Sequence, residues 1–422
     1  MSRAPYDVIV AGAGPAGAAV AARLAQHGRA GRVLVLDRFR FPREKPCGGA
    51  LTGHAEPAMA ALDLSLRVPS WPCPAARVRF GAFEREVAMG RPVQVIRRRE
   101  FDADLVAQVR ERGVEVVEEE GIEEYAAGPD GVVVTTSRGR TLRAEVLVGA
   151  DGAASVVRKQ LGARARGRAD QDTSRRAIPH RLFQVEVPLP AGGEQPAMLY
   201  DFTPMAHGLR GYLWIFPVPG RLANLGLMHY PTRAESSRRG GRELVDLLRR
   251  GLADHGIALP ARGTRGWPVW GYDPRQPVAA PRVVAVGDAA GIDGLTGEGI
   301  AVAMEQAVIA GDAIDRALGA RRFDFGGYRR ALRRAVVGRE LALDRRLARL
   351  LYDTEHWLDW LALVLRDPDV IEMYARRVDG TEVLADQKLR LVRALGRHLV
   401  RRGERRRALA GASGLALFTT AA

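Results

Sequence analysis

Gly12, Gly14 and Gly17 stand at the spacing G-x-G-x-x-G in YDVIVAGAGPAGAAVAARLAQHG, and Asp37 closes the next apolar run, RVLVLD. Those residue types at that spacing fit a dinucleotide. The first glycine permits a tight turn, and the second lets a pyrophosphate approach backbone N–H groups at a helix N-terminus. The third allows close helix–strand packing, and an acidic residue about 20 positions on suits a ribose hydroxyl. Ala16 within the turn and Arg38 after Asp37 flank the same candidate site. A second chemical candidate follows in FPREKPCGGALTG, residues 41–53, where one of only two cysteines, Cys47, directly precedes Gly48 and Gly49. Paired glycines let backbone lie close against a partner, and a cysteine supplies either a reactive thiol or a small, soft volume. Lys45 stands two positions before it and would favour thiolate character there.

The elements that must position these groups read as strand, glycine turn, alanine-rich helix and second strand, with Val8 to Val10 opening the first strand and the helix running to about His27. Further along, alternating segments suggest antiparallel strands: ARVRFGAFEREVAM, RLFQVEVPL, AMLYDF, GYLWIFPV and ANLGLMHY. A helical stretch, GRELVDLLRRGLADHG, interrupts them. From about Phe323 the pattern turns helical and arginine-rich, and the final ALAGASGLALFTTAA reads as a frayed tail.

The chain has 422 residues, enough for two or three domains, and a formal net charge of +15. Of its 64 basic residues only Lys45, Lys159 and Lys388 are lysines. That skew reads as arginine filling exposed positions. No aromatic-interleaved basic patch accompanies it, so nucleic acid is not expected as a partner. Peripheral contact with an anionic membrane stays open. The opening MSRAPYDVIVAGAG resembles no export leader, and the most apolar run, WLDWLALVL, is too short to span a bilayer, so a cytoplasmic location with Cys47 and Cys73 as free thiols is expected. Cys73, in WPCPAA, reads as a loop residue, and His54 and His180 as structural.

Two later segments carry a resemblance. VGADGAASVVRKQLG, 148–162, resembles the Asp-Gly motif of the flavoprotein hydroxylase, halogenase and reductase superfamily, and RVVAVGDAAGIDGLTGEGIAVAMEQA, 282–307, resembles its Gly-Asp motif. RRREFDADL, 97–105, resembles a further element whose arginine lies near the pyrophosphate, with Arg98 best spaced. Within the superfamily, PREKPCGGAL and GYLWIFPV are similar to the Pro-x-x-Lys-x-Cys-Gly-Gly and Tyr-x-Trp-x-Phe-Pro elements of the geranylgeranyl reductases. The turn GIDGLTGEG departs from theirs by lacking a proline and being one residue shorter.

The resemblance implies an α/β fold: a Rossmann-type FAD-binding domain from residues 1–71, 97–165 and 268–320, an antiparallel-sheet substrate domain from 72–96 and 166–267, and a helical C-terminal region over 321–422. It implies FAD held by Gly12, Gly14, Ala16, Gly17, Asp37, Arg38, Lys45, Gly48, Gly49, Arg98, Asp151, Gly287, Asp288, Gly297, Gly299 and Ile300. Asp288 would contact the ribityl or ribose part, Gly48 and Gly49 would lie against the isoalloxazine, and Cys47, Tyr212 and Trp214 would line the reaction chamber. Cys47 reads either as a proton donor beside the flavin or as a filler, and the two aromatics equally as sheet core. The implied reaction is hydride transfer from reduced flavin to an alkene of a lipophilic, isoprenoid-like substrate. NAD(P)H or a ferredoxin-like donor would bind transiently, since no second fingerprint is present. Alternatives are a monooxygenase or halogenase acting on an aromatic or polyketide metabolite, and a membrane-associated flavoprotein that reduces quinones.

Overall fold

The computed structural model describes residues 6–166, 179–189, 197–232 and 240–408, so nearly all of the terminal ALAGASGLALFTTAA lies outside the described residues. In strands Tyr6–Ala11 and Val33–Leu36 the runs Val8 to Ala11 and Val33 to Leu36 are continuously apolar and buried, as strands covered on both faces must be. They pair in parallel, Val8 opposite Val33 and Val10 opposite Val35. Thr141–Gly149 lies parallel on the other side of Tyr6–Ala11, and Val283–Ala285 extends the sheet beyond it. The hairpin Ile122–Gly128 and Gly131–Thr136 is appended antiparallel to Thr141–Gly149. Helix Pro15–Gln26 packs against this sheet, and helix Ile300–Ala320 packs in turn against Pro15–Gln26. The three parallel strands carrying the glycine turn, the Asp-Gly turn and the Gly-Asp turn thus end side by side.

A second eight-stranded sheet runs in the order Arg265–Val269, His180–Pro188, Leu222–His229, Gly211–Val218, Ala197–Asp201, Ser70–Phe80, Phe83–Ile96 and Ala50–Leu51. Its pairings are antiparallel except that Ala197–Asp201 runs parallel to Ser70–Phe80, where the chain returns from the nucleotide sheet. Alternation along Gly211–Val218 sorts its side chains. Leu213 turns outward to a core closed by Leu244, Leu247, Leu248 and Leu252 of helix Gly241–Ala253, whereas Tyr212, Trp214 and Phe216 turn inward and join the core of the first sheet. Cys73 differs from expectation: it is a strand residue, fully buried, and burial pushes its thiol up to about 12. Two prolines make WPCPAA look like a loop: Pro74 sits at the irregularity between Cys73 and Ala75, where a ladder tolerates a missing N–H, and Pro72 stays in register opposite Gln94.

The C-terminal helices Gly326–Arg334, Val336–Tyr352, Trp357–Arg366, Pro368–Val378 and Lys388–Ala408 close over both sheets. Buried Arg377 joins two of them, donating to Glu340 at 2.7 Å and to Asp344 at 2.6 Å. The same region is fastened to the second sheet and its leading segment: Gly53 N donates to Val378 O and Gly90 N to the Asp379 carboxylate. Among the described residues no helix is long and apolar enough to cross a membrane, and no cluster of His, Cys, Asp and Glu could hold a metal ion.

Candidate active site

The three strand ends open onto a groove lined by Asp37 and Arg38 as well as by Trp267, Ile292 and Gly297. Local sequence explains its floor. Gly12 has φ +98°, and a Cβ there would stand 2.3 Å from the Ala150 carbonyl oxygen, so only glycine lets the first turn close against the Asp-Gly turn. A Cβ on Gly17 would stand 1.8 Å from the Gly12 carbonyl oxygen, so this glycine sets the helix tight on the turn and does not itself line the groove. Gly14 is the N-cap of helix Pro15–Gln26, and its Cα faces open groove with only the Arg43 guanidinium near. Asp37 is buried, and its carboxylate accepts from Ala13 N at 2.8 Å and Phe39 N at 2.9 Å, so it rigidifies the glycine turn as well as facing the adenosine end.

Opposite, Gly287, Asp288, Gly297, Gly299 and Ile300 line the groove beside Gly12, Gly14, Ala16, Asp37, Arg38 and Asp151. Gly299 caps the helix Ile300–Ala320, whose N-terminal N–H groups give that end positive potential. Asp151 accepts from Ser155 and from Val156 N at 2.7 Å, holding the start of helix Val156–Arg166, and burial raises its carboxyl above the usual range. Of the three consecutive arginines only Arg98 reaches the groove: Arg97 pairs with Glu100 and Glu186, and Arg99 with Glu44 at the surface. Burial works against the charge of Arg98, but the two-point contact with Asp102, at 2.7 and 2.8 Å, overrides it and keeps the guanidinium charged.

Lys45 lines the same wall, its Nζ 3.6 Å from Asp288 Oδ2 and 4.8 Å from the Trp267 ring centre. Burial lowers its pKa, and Asp288 pulls it back. Cys47 lies between these cations with its Sγ accepting from Gly49 N at 3.4 Å. The glycines after it have protein neighbours where a ring was expected. A Cβ on Gly48 would stand 2.9 Å from the Phe216 ring, and one on Gly49 would stand 2.1 Å from the Ile96 carbonyl oxygen, and neither residue lines the groove. Their smallness seats the Cys47 segment on the second sheet. Tyr212 and Trp214 also stand behind the groove wall. Tyr212 donates its hydroxyl to the Thr296 carbonyl, and Trp214 Nε1 donates to Asn224, whose amide donates to the Cys47 carbonyl at 2.7 Å.

The site suits FAD on its own chemistry: an open Cα at a helix N-terminus, cations along one wall, and two buried donors, Arg43 Nε and Trp267 Nε1, that belong to groove-lining residues and have no acceptor among the described residues. Over residues 5–322 the sequence matches the family described as FAD binding domain. The chain belongs to that family. Its fold is that of FAD-binding reductases and halogenases, and it is an FAD-dependent oxidoreductase of this superfamily. A menaquinone reductase of Mycobacterium tuberculosis is 29% identical over 375 residues, covering 82% of this chain and 84% of that one. A digeranylgeranylglycerophospholipid reductase of Methanospirillum hungatei is 28% identical over 340 residues, covering 74% and 76%. A geranylgeranyl bacteriochlorophyll reductase-like protein of Thermoplasma acidophilum has the same fold, with a TM-score of 0.71 at 19% identity over 92% of this chain and 99% of that one.

Several groove and support residues of this family member escape a reading of the sequence. Arg43 lies 3.2 Å from Asp102 and over the Phe41 ring, and its place in PREK carries no distinguishing signal. Gln306 accepts from Gly287 N and donates to Gly291 O, pinning the Gly-Asp turn from nearly two turns inside Ile300–Ala320. The loop 293–297 is held by Asp293, which accepts from Leu295 N and Thr296 N, and by Tyr352 from the C-terminal helices, which donates to the Leu295 carbonyl. Beside it, Glu305 lies near Glu298 and 3.8 Å from His54, and burial first, then the Glu298 charge, pushes its carboxyl up to about 8. His180 is buried against Tyr230, and that burial lowers its pKa to about 4.

Proposed function

We propose that the enzyme reduces a carbon–carbon double bond of a lipophilic, isoprenoid-like substrate. The observation that carries this reading is the bridge Cys47–Asn224–Trp214, which joins the Cys-Gly-Gly segment on the groove wall to an inward face of aromatic rings, Tyr200, Phe202, Tyr212, Trp214 and Phe216. Those rings stand behind the wall and back it with apolar bulk, while the wall itself presents Leu182, Val269 and Ile292, a lining that suits a chain of alkene units more than a polar metabolite. Relatives over most of both lengths, the menaquinone and digeranylgeranylglycerophospholipid reductases, support it. A tetracycline-pathway monooxygenase of Streptomyces rimosus matches only 50% of this chain and 43% of its own.

FAD bound in the groove and reduced by a transient donor, NAD(P)H or a ferredoxin-like carrier, would supply the hydride. The protein then has three tasks. The cations Lys45 and Arg98, with the N-terminus of Ile300–Ala320, hold negative charge at that end of the groove. Leu182, Val269 and Ile292 line it and exclude water. Cys47 Sγ holds a proton for the second alkene carbon, and solvent reprotonates the thiolate afterwards. Tyr212 is not that acid, because its proton is engaged by the Thr296 carbonyl.

The test is anaerobic incubation of the dithionite-reduced holoenzyme with prenyl lipids and menaquinones, read by mass spectrometry. Gain of two hydrogens at an isoprene unit supports the reading. Turnover that requires oxygen and adds oxygen or halide refutes it. Quinone reduced at its ring with the side chain unchanged refutes it in favour of an electron carrier.

A further inference from the structure

Six large apolar side chains are exposed among the described residues, and four of them sit on one helix, Lys388–Ala408: Leu389 at 75%, Val392 at 63%, Leu399 at 51% and Val400 at 63%. At 3.6 residues per turn these four, with Gly396 between them, fall on one stripe. The helix already has an inner apolar face. Leu391, Ala394 and Leu395 pack with Leu363, Val370, Met373 and Leu384 of the neighbouring elements, so the outer stripe adds nothing to the fold. Arg390 and Arg397 anchor the helix through Glu372, Glu382, Asp367 and Asp369. Lys388 and the exposed Arg393, at the margins of the stripe, have no ion-pair partner among the described residues. Over 388–408 the sequence carries nine basic residues and one acidic one, Glu404.

An exposed apolar stripe bordered by unpaired cations on a helix fixed by its opposite face matches a surface of apolar interior and anionic rim. We propose that the outer stripe of Lys388–Ala408 docks the enzyme on an anionic lipid bilayer, with Leu389, Val392, Leu399 and Val400 entering the headgroup–acyl boundary and Lys388 and Arg393 meeting lipid phosphates. The charge selects lipid over a second copy of this chain, which would bring two such basic helices together.

Full-chain FAD holoenzyme is sedimented with vesicles of phosphatidylcholine alone or mixed with phosphatidylglycerol, without any substrate, so the outcome is independent of the reductase reading. Wild type should bind the mixed vesicles, and binding should fall steeply with added salt. Each of Lys388→Gln and Arg393→Gln should weaken it about fivefold. Leu389→Glu with Val400→Glu should abolish it while flavin absorbance and melting temperature stay unchanged. Wild type left in the supernatant overturns the proposal, as does wild-type affinity in the Glu variant. A dimer in solution that the Glu variant converts to monomer, or binding gained only when the chain ends at Ala408, also overturns it. The first would mark a self-association face, and the second a stripe covered by residues 409–422.

Discussion

Gly14→Val separates the cradle for the cofactor from the packing that builds the cradle. Gly14 has φ −69° and ψ −174°, an extended conformation any residue adopts, and an added Cβ would meet only Arg43 Nη2 at 3.2 Å. That atom is the end of a flexible side chain, so the apoprotein loses little: about 1 kcal/mol for a poorer N-cap, or a few degrees in melting temperature. The cofactor side differs. A branched side chain over the helix N-terminus holds a pyrophosphate away from its backbone N–H groups. Loss of two charge-assisted hydrogen bonds, each worth roughly 1.5–3 kcal/mol, weakens FAD by about 10²–10⁴-fold. Gly17→Ala is the contrast, because its Cβ would stand 1.8 Å from the Gly12 carbonyl oxygen, and that backbone cannot swing aside. The helix must lift from the turn at about 1–3 kcal/mol or more, so stability falls together with FAD affinity. Calorimetric titration of each apoprotein with FAD, beside thermal melts of the same samples, measures both. FAD affinity of Gly14→Val within threefold of wild type would refute the pyrophosphate position, and a melt as low as that of Gly17→Ala would refute the claim that Gly14 is free of packing.

Other substitutions test the walls. Asp288→Ala should weaken FAD with little change in the apoprotein melt, because its carboxylate faces the groove and Lys45. Asp293→Ala should lower stability by about 2–4 kcal/mol, because its buried carboxylate holds Leu295 and Thr296; equal flavin loss at equal stability would contradict the assignment. Cys47→Ser should keep FAD and its reduction by the donor but lower alkene reduction by ~10²-fold. Full turnover in Ser with flavin lost in Leu would instead make Cys47 a filler. Glu305, raised to about 8 in the folded protein from an ordinary value near 4.5, keeps its proton through neutral pH. The folded state then binds more protons at this site than the unfolded state between these values, so this group's contribution to stability is greatest below about 4.5 and falls as pH rises towards 8. Glu305→Gln should flatten that decline in melting temperature, and an unchanged slope would reject the burial of a neutral carboxyl there.

Features set by local sequence are legible: the strand–turn–helix of Gly12 to Gly17 and the helix Gly241–Ala253 follow from turn chemistry and periodicity within short windows. Features set by distant partners are not. Cys73 reads as a loop because its prolines are visible, whereas the irregularity that takes up Pro74 and the pairing that keeps Pro72 in a strand are not. Gly48 and Gly49 suggested a ligand, and the neighbours that require them, Phe216 and Ile96, lie 168 and 47 positions away. Arg43 and Gln306 acquire meaning only once the strand ends meet, because arginine and glutamine carry no spacing signature of their own.

The hydroxyl of Tyr352 on the Leu295 carbonyl sets a limit on how this enzyme can be divided or recombined. The family's pattern ends at residue 322, which invites cutting or grafting there. A fragment ending at that residue would keep every glycine turn yet lose Tyr352, the Gly53–Val378 bond and the Asp379 contact to Gly90, each of which ties the helical region to a residue before 300. The stretch that carries the family's pattern is therefore smaller than the unit these contacts hold together. Chimaeras that exchange cofactor halves between relatives should carry the C-terminal helices along with the loop they brace.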